Sequence, residues 1–241
     1  MGPVVELAVG SGRLAVPLAA AGYRVVGIDR DPAMLARGRQ RAAASAGAAD
    51  VEARLTWLEA DLVDVDRAWA AIAPPGTPGG PRSFGLAILA VGSILLLPDA
   101  ERQRAAVDTM ARLLAPGGVA VVDAWVVAPD ELAGYDGTVS LEWVRTDPET
   151  GATVTKRAAG SHRHGDDRLD LTTTFDESRL GQPLVRWVRA DTLRLVEPAE
   201  LVAFVTDAGL EIEVVAGDPQ MTSFEAGSDR VLVVARRVSR A

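Results

Sequence analysis

Cysteine is absent from the 241-residue chain. Disulfides are therefore excluded, and so is a thiolate nucleophile of the kind that adds to a cytosine ring. Lysine occurs once, as Lys156, and Ala152 stands four residues before it. The Tyr-x-x-x-Lys pair with which reductases protonate a carbonyl is accordingly missing. No stretch reaches the roughly 20 consecutive apolar residues that span a bilayer, and the start lacks a basic segment followed by an apolar run. A soluble, cytoplasmic protein is expected. Basic charge is also short: the net charge is −8, which argues against nucleic acid as a partner because phosphate binding needs a basic face. Arg37, Arg39 and Arg41 alternate along a helix and so spread around it, as on a solvated face. What remains is a chain 48% hydrophobic, enough for one α/β core with an elaboration. The expectation is a single domain over residues 1–241.

The most informative stretch runs Val4-Val5-Glu6-Leu7-Ala8-Val9-Gly10-Ser11-Gly12-Arg13-Leu14-Ala15 and continues to Gly27-Ile28-Asp29. The run Val4 to Val9, apolar except for Glu6, suits a parallel strand covered on both faces. Gly10 and Gly12 allow a sharp turn and a close approach to a ligand. Leu14, Leu18 and Ala21 then recur at helical spacing, and Gly22 is placed to end that helix. Asp29 ends the second strand, where a carboxylate can accept both hydroxyls of a ribose. Read literally, Gly10 to Ala15 is also G-x-G-x-x-A, the dinucleotide fingerprint, which alone is a weak signal. Two acids point elsewhere. Glu6, before the glycines, would repel a pyrophosphate but suits a cation. Asp61 closes another apolar strand, Leu55 to Asp61, as if to catch an exocyclic amine. Three carboxylates at successive strand ends fit a nucleoside with an amine and no phosphate, which describes S-adenosylmethionine.

With those residues in hand, Glu6 to Arg13, Gly27 to Leu35 and Leu113-Leu114-Ala115-Pro116-Gly117-Gly118 resemble, in order and spacing, the class I S-adenosylmethionine-dependent methyltransferases. The resemblance implies a doubly wound seven-stranded, mostly parallel sheet of α/β, Rossmann-like type whose last strand is antiparallel. It implies that Glu6 and the Gly10–Gly12 turn flank the methionine moiety, that Asp29 holds the ribose, and that Met34 packs near the adenine. Asp61 and Leu62 would receive the adenine amine and ring edge, and Ala8, Arg30 and Ala90 complete the cofactor set. Arg30 and Asp31 taken singly read as solvated surface. Ala8 departs from the pattern, where glycine is commoner. Relatives of this kind also carry helices before the first strand that close over the substrate. Only five residues precede Glu6, so either the chain starts late relative to its relatives or the lid comes from elsewhere.

Asp31 and Pro32 form an N-cap and first-turn pair for a helix to about Ser45, and a short helix follows from Val65 to Ile72. Pro74 to Pro81 reads as a surface loop. Phe84 to Ala90 is the fourth strand. Its tip, Val91-Gly92-Ser93, lacks both the Asn/Asp-Pro-Pro-aromatic motif of amino-methyltransferases of nucleobases and glutamine, and a metal-binding acid. Ser93 with the apolar Ile94 to Leu97 suggests a greasy wall for a small substrate, with Leu95 equally readable as core. An amphipathic helix, Ala100 to Leu114, leads to strand five, which carries Asp123 and Trp125 near its end. Asp123 is readable either as functional or as the partner of an arginine.

From Val139 the period changes to two. Val139-x-Leu141-x-Trp143, Thr153 to Arg157, Leu169 to Phe175 and Leu184 to Arg189 predict a four-stranded antiparallel meander inserted after strand five, over about 135–190. It would cover the substrate or pair two subunits as a homodimer. Trp143 and Trp187 read as packing residues before stacking platforms. A helix from Pro198 to Ala208 and strands Glu211 to Ala216 and Arg230 to Arg236 close the chain.

His162 and His164 are the only candidates for a general base, and both read first as exposed turn residues. With Asp166 and Asp167 they make no convincing metal site. The function expected is transfer of a methyl group to a small molecule, such as a secondary metabolite, with Ser93, Leu95, Trp125 and Trp143 facing the acceptor. The alternatives are an NAD(P)-dependent reductase and a non-catalytic cofactor-binding or dimerisation module.

Overall fold

The computed structural model describes residues 2–73, 80–148 and 150–238. Most of the loop expected at Pro74 to Pro81 therefore lies outside the described residues. The strands are β1 (Val4–Leu7), β2 (Val25–Asp29), β3 (Leu55–Glu59), β4 (Phe84–Leu89), β5 (Leu114–Trp125), β6 (Asp136–Thr146), β7 (Thr153–His162), β8 (Arg168–Ser178), β9 (Val185–Arg194), β10 (Leu210–Ala216) and β11 (Arg230–Arg237). The helices are α1 (Ala15–Ala20), α2 (Pro32–Ala43), α3 (Ala48–Arg54), α4 (Val65–Ile72), α5 (Ala100–Leu113), α6 (Pro129–Ala133) and α7 (Pro198–Asp207). Two compact units form, the second comprising Leu95–Pro98 and Val127–Val196.

In the first unit seven strands lie in the order β10-β11-β5-β4-β1-β2-β3. β1 runs parallel to β2 and β4, β2 to β3, and β4 to β5, while β11 is antiparallel to both β5 and β10. All four residues of β1 are buried. That is why Val4, Val5 and Leu7 are apolar on whichever face they lie: both faces of a central parallel strand are covered, and Glu6 is buried with them. Asp31 caps α2 as expected, its side chain accepting from the amides of Ala33 and Met34. The helix α3 was not legible in the sequence. Its alanine-rich start continues the pattern of α2, and the break falls at Gly47, which is left-handed at φ 72°. Val51 fixes α3 by burial. β3 stops at Glu59, two residues short of the expected Asp61, because Asp61 turns to accept the amide of Val63 with its own side chain.

The second unit is the expected antiparallel meander, β6-β7-β8-β9, in sequential order. Asp147 anchors the first turn through the amide and hydroxyl of Thr150, and Gly151 closes it on the Asp147 carbonyl at φ 65°. Leu169 and Leu193 are buried partners across β8 and β9. By contrast Val139, Leu141 and Val188 stand more than half exposed. Trp143 is half-buried, with its ring 6.2 Å from that of Phe175 and the Arg145 guanidinium 4.7 Å away; Trp187 is half exposed.

Candidate functional site

The carboxyl ends of β1 to β4 bring the expected residues to one edge of the first sheet. Glu6 pairs with Gly27 on β2 and with Ile88 on β4. Two residues further along each strand, Ala8, Asp29 and Ala90 therefore stand at one level. Asp29 pairs in turn with Glu59, so Asp61 lies two residues beyond that row.

The turn after β1 is built around its glycines. Gly12 donates to the carbonyl of Val9 and accepts from Val16, and Gly10 and Gly12 are left-handed at φ 54° and 71°. A Cβ on Gly10 would meet the Met34 Cε at 3.3 Å, which sets Met34 over the turn. At Gly12 the close approach is internal: a Cβ would fall 2.6 Å from Cη2 of Trp57. A Cβ on Gly38 of α2 would meet the same ring at 2.7 Å. Trp57, a residue the sequence reading passed over, thus packs beneath both the turn and α2. The signal for it was a glycine inside an otherwise unbroken helix, Gly38. Ala8 holds φ 54°, a left-handed conformation that glycine adopts without penalty.

Asp29 binds the turn directly. Its Oδ2 accepts the Gly10 amide at 2.7 Å and its Oδ1 accepts the Asp31 amide at 2.9 Å. Glu6 is 5% exposed. The Ala15 amide, at the start of α1, donates to its carboxyl group, but Oε2 has no hydrogen-bond partner among the described residues. Burial pushes the Glu6 pKa up to about 8, against the opposing effects of the Ala15 amide and the charge of Arg13; the nearby Asp29 charge raises it further. A buried, partnerless carboxyl oxygen next to the glycine turn is a group suited to a cation or a donor.

Asp61 is exposed and already engaged: its Oδ2 lies 2.5 Å from the Arg102 guanidinium of α5, across the surface. Arg30 is exposed, whereas Leu62, Ala90 and Ser93 are half-buried. The Ser93 hydroxyl donates to the Ala90 carbonyl at 2.8 Å, closing the turn at the tip of β4. Leu95 is 2% exposed and presents no accessible surface, so the core reading fits it better than the wall. Trp125, at the end of β5, is half-buried. In the second unit, the His162 Nε2 sits 3.0 Å from the Asp166 carbonyl oxygen, and His164 is exposed. Among the described residues, no group of three His, Asp or Glu side chains is arranged to hold a metal.

A parallel sheet in this order, with its two-strand antiparallel end and an acid-lined glycine turn, defines a nucleoside-binding α/β domain of the methyltransferase type. Residues 4–118 match the family model described as a methyltransferase domain. A curated relative, the dTDP-3-amino-3,4,6-trideoxy-alpha-D-glucopyranose N,N-dimethyltransferase of Streptomyces venezuelae, is 33% identical over 139 residues, 57% of this chain. That match spans 55% of the relative's own length. Among solved structures, the CcbJ methyltransferase of Streptomyces caelestis superposes with a TM-score of 0.72 at 24% identity, covering 99% of this chain and 89% of that one. A SAM-bound amino pentose methyltransferase from Micromonospora echinaspora gives 0.67 at 22%, covering 98% and 84%. The chain is thus similar to methyltransferases in sequence over residues 4–118 and in fold over nearly its whole length.

Proposed function

We propose that this protein transfers a methyl group from S-adenosylmethionine to the nitrogen of a small molecule, with a nucleotide-linked amino sugar as the acceptor class. The observation that carries the cofactor half is Glu6: a carboxyl group 5% exposed, with Oε2 unpartnered, beside the Gly10–Gly12 turn. Once ionised, it would repel a pyrophosphate, whereas a cationic, phosphate-free nucleoside suits it. The acceptor half draws on the amino-sugar N,N-dimethyltransferase that the chain resembles over 139 residues, 57% of its length.

The residues present fit that cofactor. Glu6 and the Gly10–Gly12 turn would hold the methionine end, Asp29 the ribose hydroxyls, and Met34, Asp61 and Leu62 the adenine, with Ala8, Arg30 and Ala90 at the margins. Asp29 already spends one lone pair of each oxygen on the amides of Gly10 and Asp31, and each oxygen keeps a second. Asp61 would share its carboxylate between Arg102 and an amine. When bound, S-adenosylmethionine supplies an electrophilic methyl group on a sulfonium. The chain's task is then to hold the acceptor nitrogen in near-attack geometry, keep water out, and accept the proton an ammonium acceptor must lose. Ser93 and Trp125, both in the first unit, are the side chains we assign to the acceptor.

We read residues 1–241 as one methyltransferase domain whose insert, 135–190, covers the substrate or pairs two subunits. The exposed Val139, Leu141 and Val188 and the open edges of β6 and β9 support a homodimer. No helix among the described residues is long and apolar enough to cross a membrane, consistent with a cytoplasmic enzyme. Calorimetric titration with S-adenosylhomocysteine, with NADH as the control, tests the cofactor. Binding of the first alone is expected, and binding of NADH alone would replace this reading with a reductase. Transfer of labelled methyl to nucleotide-linked amino sugars, and not to their hydroxy counterparts, tests the acceptor.

A further inference from the structure

Asp123 was open to two readings in the sequence, and the structure gives it two partners at once. It is 3% exposed on β5. Its Oδ2 pairs with the Arg230 guanidinium at the start of β11, and its Oδ1 accepts the Gly92 amide at 3.2 Å. The second bond reaches a part of the chain under strain. Beyond Leu89 the backbone turns through two successive left-handed residues, Val91 at φ 62° and Gly92 at φ 66°. A β-branched residue rarely adopts that conformation, and it persists only where the surroundings impose it. Val91 is itself 45% exposed, so its own side chain does little to impose it. The described bonds that do are the Ser93 amide and hydroxyl on the Ala90 carbonyl and the Asp123 carboxylate on Gly92.

The register shows what this tip borders. Leu89 pairs with Val122, which sets Asp123 level with Ala90, and Ala90 stands level with Ala8 and Asp29. We infer that Asp123, anchored by Arg230, is a positioning residue: it holds the β4 tip in its strained left-handed turn so that Ala90 and Ser93 form a fixed wall of the cofactor crevice. An ion pair that merely joined β5 to β11 would not need the bond to Gly92. The inference rests on the methyl-transfer reading only in naming the ligand of that crevice.

The test uses the full chain with S-adenosylhomocysteine as the probe, and amide hydrogen exchange at Gly92 in the free protein. In D123A the Gly92 amide loses its acceptor, so exchange there speeds up and binding weakens, each by about tenfold, the equivalent of one hydrogen bond. Adding Val91→Gly removes the strain that the carboxylate restrains. The double variant D123A/V91G is expected to regain most of the affinity while its thermal midpoint stays low. A purely structural Asp123 would lower the midpoint and leave Gly92 exchange and affinity unchanged, or V91G would restore nothing; either result overturns the inference. Should D123A not fold, D123N keeps the shape and a neutral acceptor but loses the negative charge that pairs with Arg230. It is expected to raise Gly92 exchange by a smaller factor, about threefold, and unchanged exchange would again overturn the inference. If the wild-type chain binds no S-adenosylhomocysteine, the methyl-transfer reading falls, and the Gly92 exchange in these variants still judges the positioning role.

Discussion

Glu6 and Asp176 are two acids buried to almost the same degree, 5% and 6% exposed, yet they titrate in opposite directions. Asp176 lies on β8 between Arg157 of β7 and Arg186 of β9, and Arg186 holds both of its oxygens. The Arg186 hydrogen bonds outweigh burial and, with Arg157, hold its carboxyl below the ordinary carboxylate value. Glu6 has one backbone amide and an empty oxygen, and burial pushes it up to about 8. Low solvent exposure is common to both, and the balance between desolvation and pairing decides the sign: desolvation leads at Glu6, the Arg186 hydrogen bonds at Asp176. An acid enclosed by two guanidiniums is finished as a structural element. An acid enclosed and left short of donors is costly to the fold and suited to a partner that arrives later. Asp123 falls between them, paired like Asp176 but spending its second oxygen on a strained strand tip.

The largest expected effect comes from disturbing the turn that Glu6 serves. Gly12→Ala puts a Cβ 2.6 Å from the Trp57 ring at a left-handed residue. Overpacking and backbone strain together should cost about 3 kcal/mol, read as a lower midpoint in chemical denaturation. The same substitution at Gly22, also left-handed but with open space around it, should cost about a third of that. Equal losses at the two glycines would mean that Trp57 is not what the turn packs against.

Next in size is Glu6→Gln. If the carboxylate faces a cationic ligand, the affinity for S-adenosylmethionine should fall by about 30-fold, the scale of one charge-assisted hydrogen bond in a dry site. Binding to the wild type below pH 8 should also release about one proton, because the ligand draws Glu6 into its ionised form. Calorimetric enthalpies measured in buffers of different ionisation heat reveal that proton. An enthalpy independent of buffer would place the ligand's charge away from Glu6.

The pH dependence of folding separates the two acids without any ligand. The folded pKa of Glu6, about 8, is raised above its ordinary 4.5. Its contribution to stability is therefore fully present below 4.5 and is lost as pH rises through 8, with a slope of at most about 1.4 kcal/mol per pH unit. Asp176 is the reverse. Its pKa is lowered from 3.8, so its contribution is present above that value and lost as pH falls through the depressed one. Melts of the wild type, Glu6→Gln and Asp176→Asn from acid to pH 9 should show the decline between about pH 4.5 and 8 vanish in the first variant and the acid limb shrink in the second.

What was readable in advance follows the same division. The glycine turn, the acid at the end of β2 and the alternation of the meander are local patterns, and each appears where the sequence placed it, while the antiparallel last strand follows from the resemblance rather than from any local period. The ends of interactions across long separations were not readable. Asp61 looked available for an amine, and only the fold brings Arg102 of α5 against it. Trp57 looked like an ordinary strand residue, yet two glycines far apart in sequence are cut to its ring. Backbone strain was invisible for a related reason: nothing in the letters Ala8 or Val91 announces a positive φ, which tertiary packing imposes. Asp123 could be seen as an acid in a buried strand, but its second bond joins residues 31 apart.

The smallest expected effect is at Ala8, and it has the opposite sign to the others. The residue stands at the level of Asp29 with φ 54°, a conformation that carries a penalty for any residue with a Cβ. Ala8→Gly should remove that penalty, and the gain is partly offset by the extra freedom glycine has when unfolded. A net stabilisation of about 0.5–1 kcal/mol is expected, measured by denaturant titration with an unchanged slope. The same change takes a methyl group away from the crevice beside the turn, so the affinity for S-adenosylhomocysteine should rise or hold. A variant that became more stable and bound the nucleoside more weakly would show that the Ala8 methyl is a contact surface for the ligand. The strain at Ala8 would then be the counterpart of the empty oxygen on Glu6, a local cost retained because the bound state uses it.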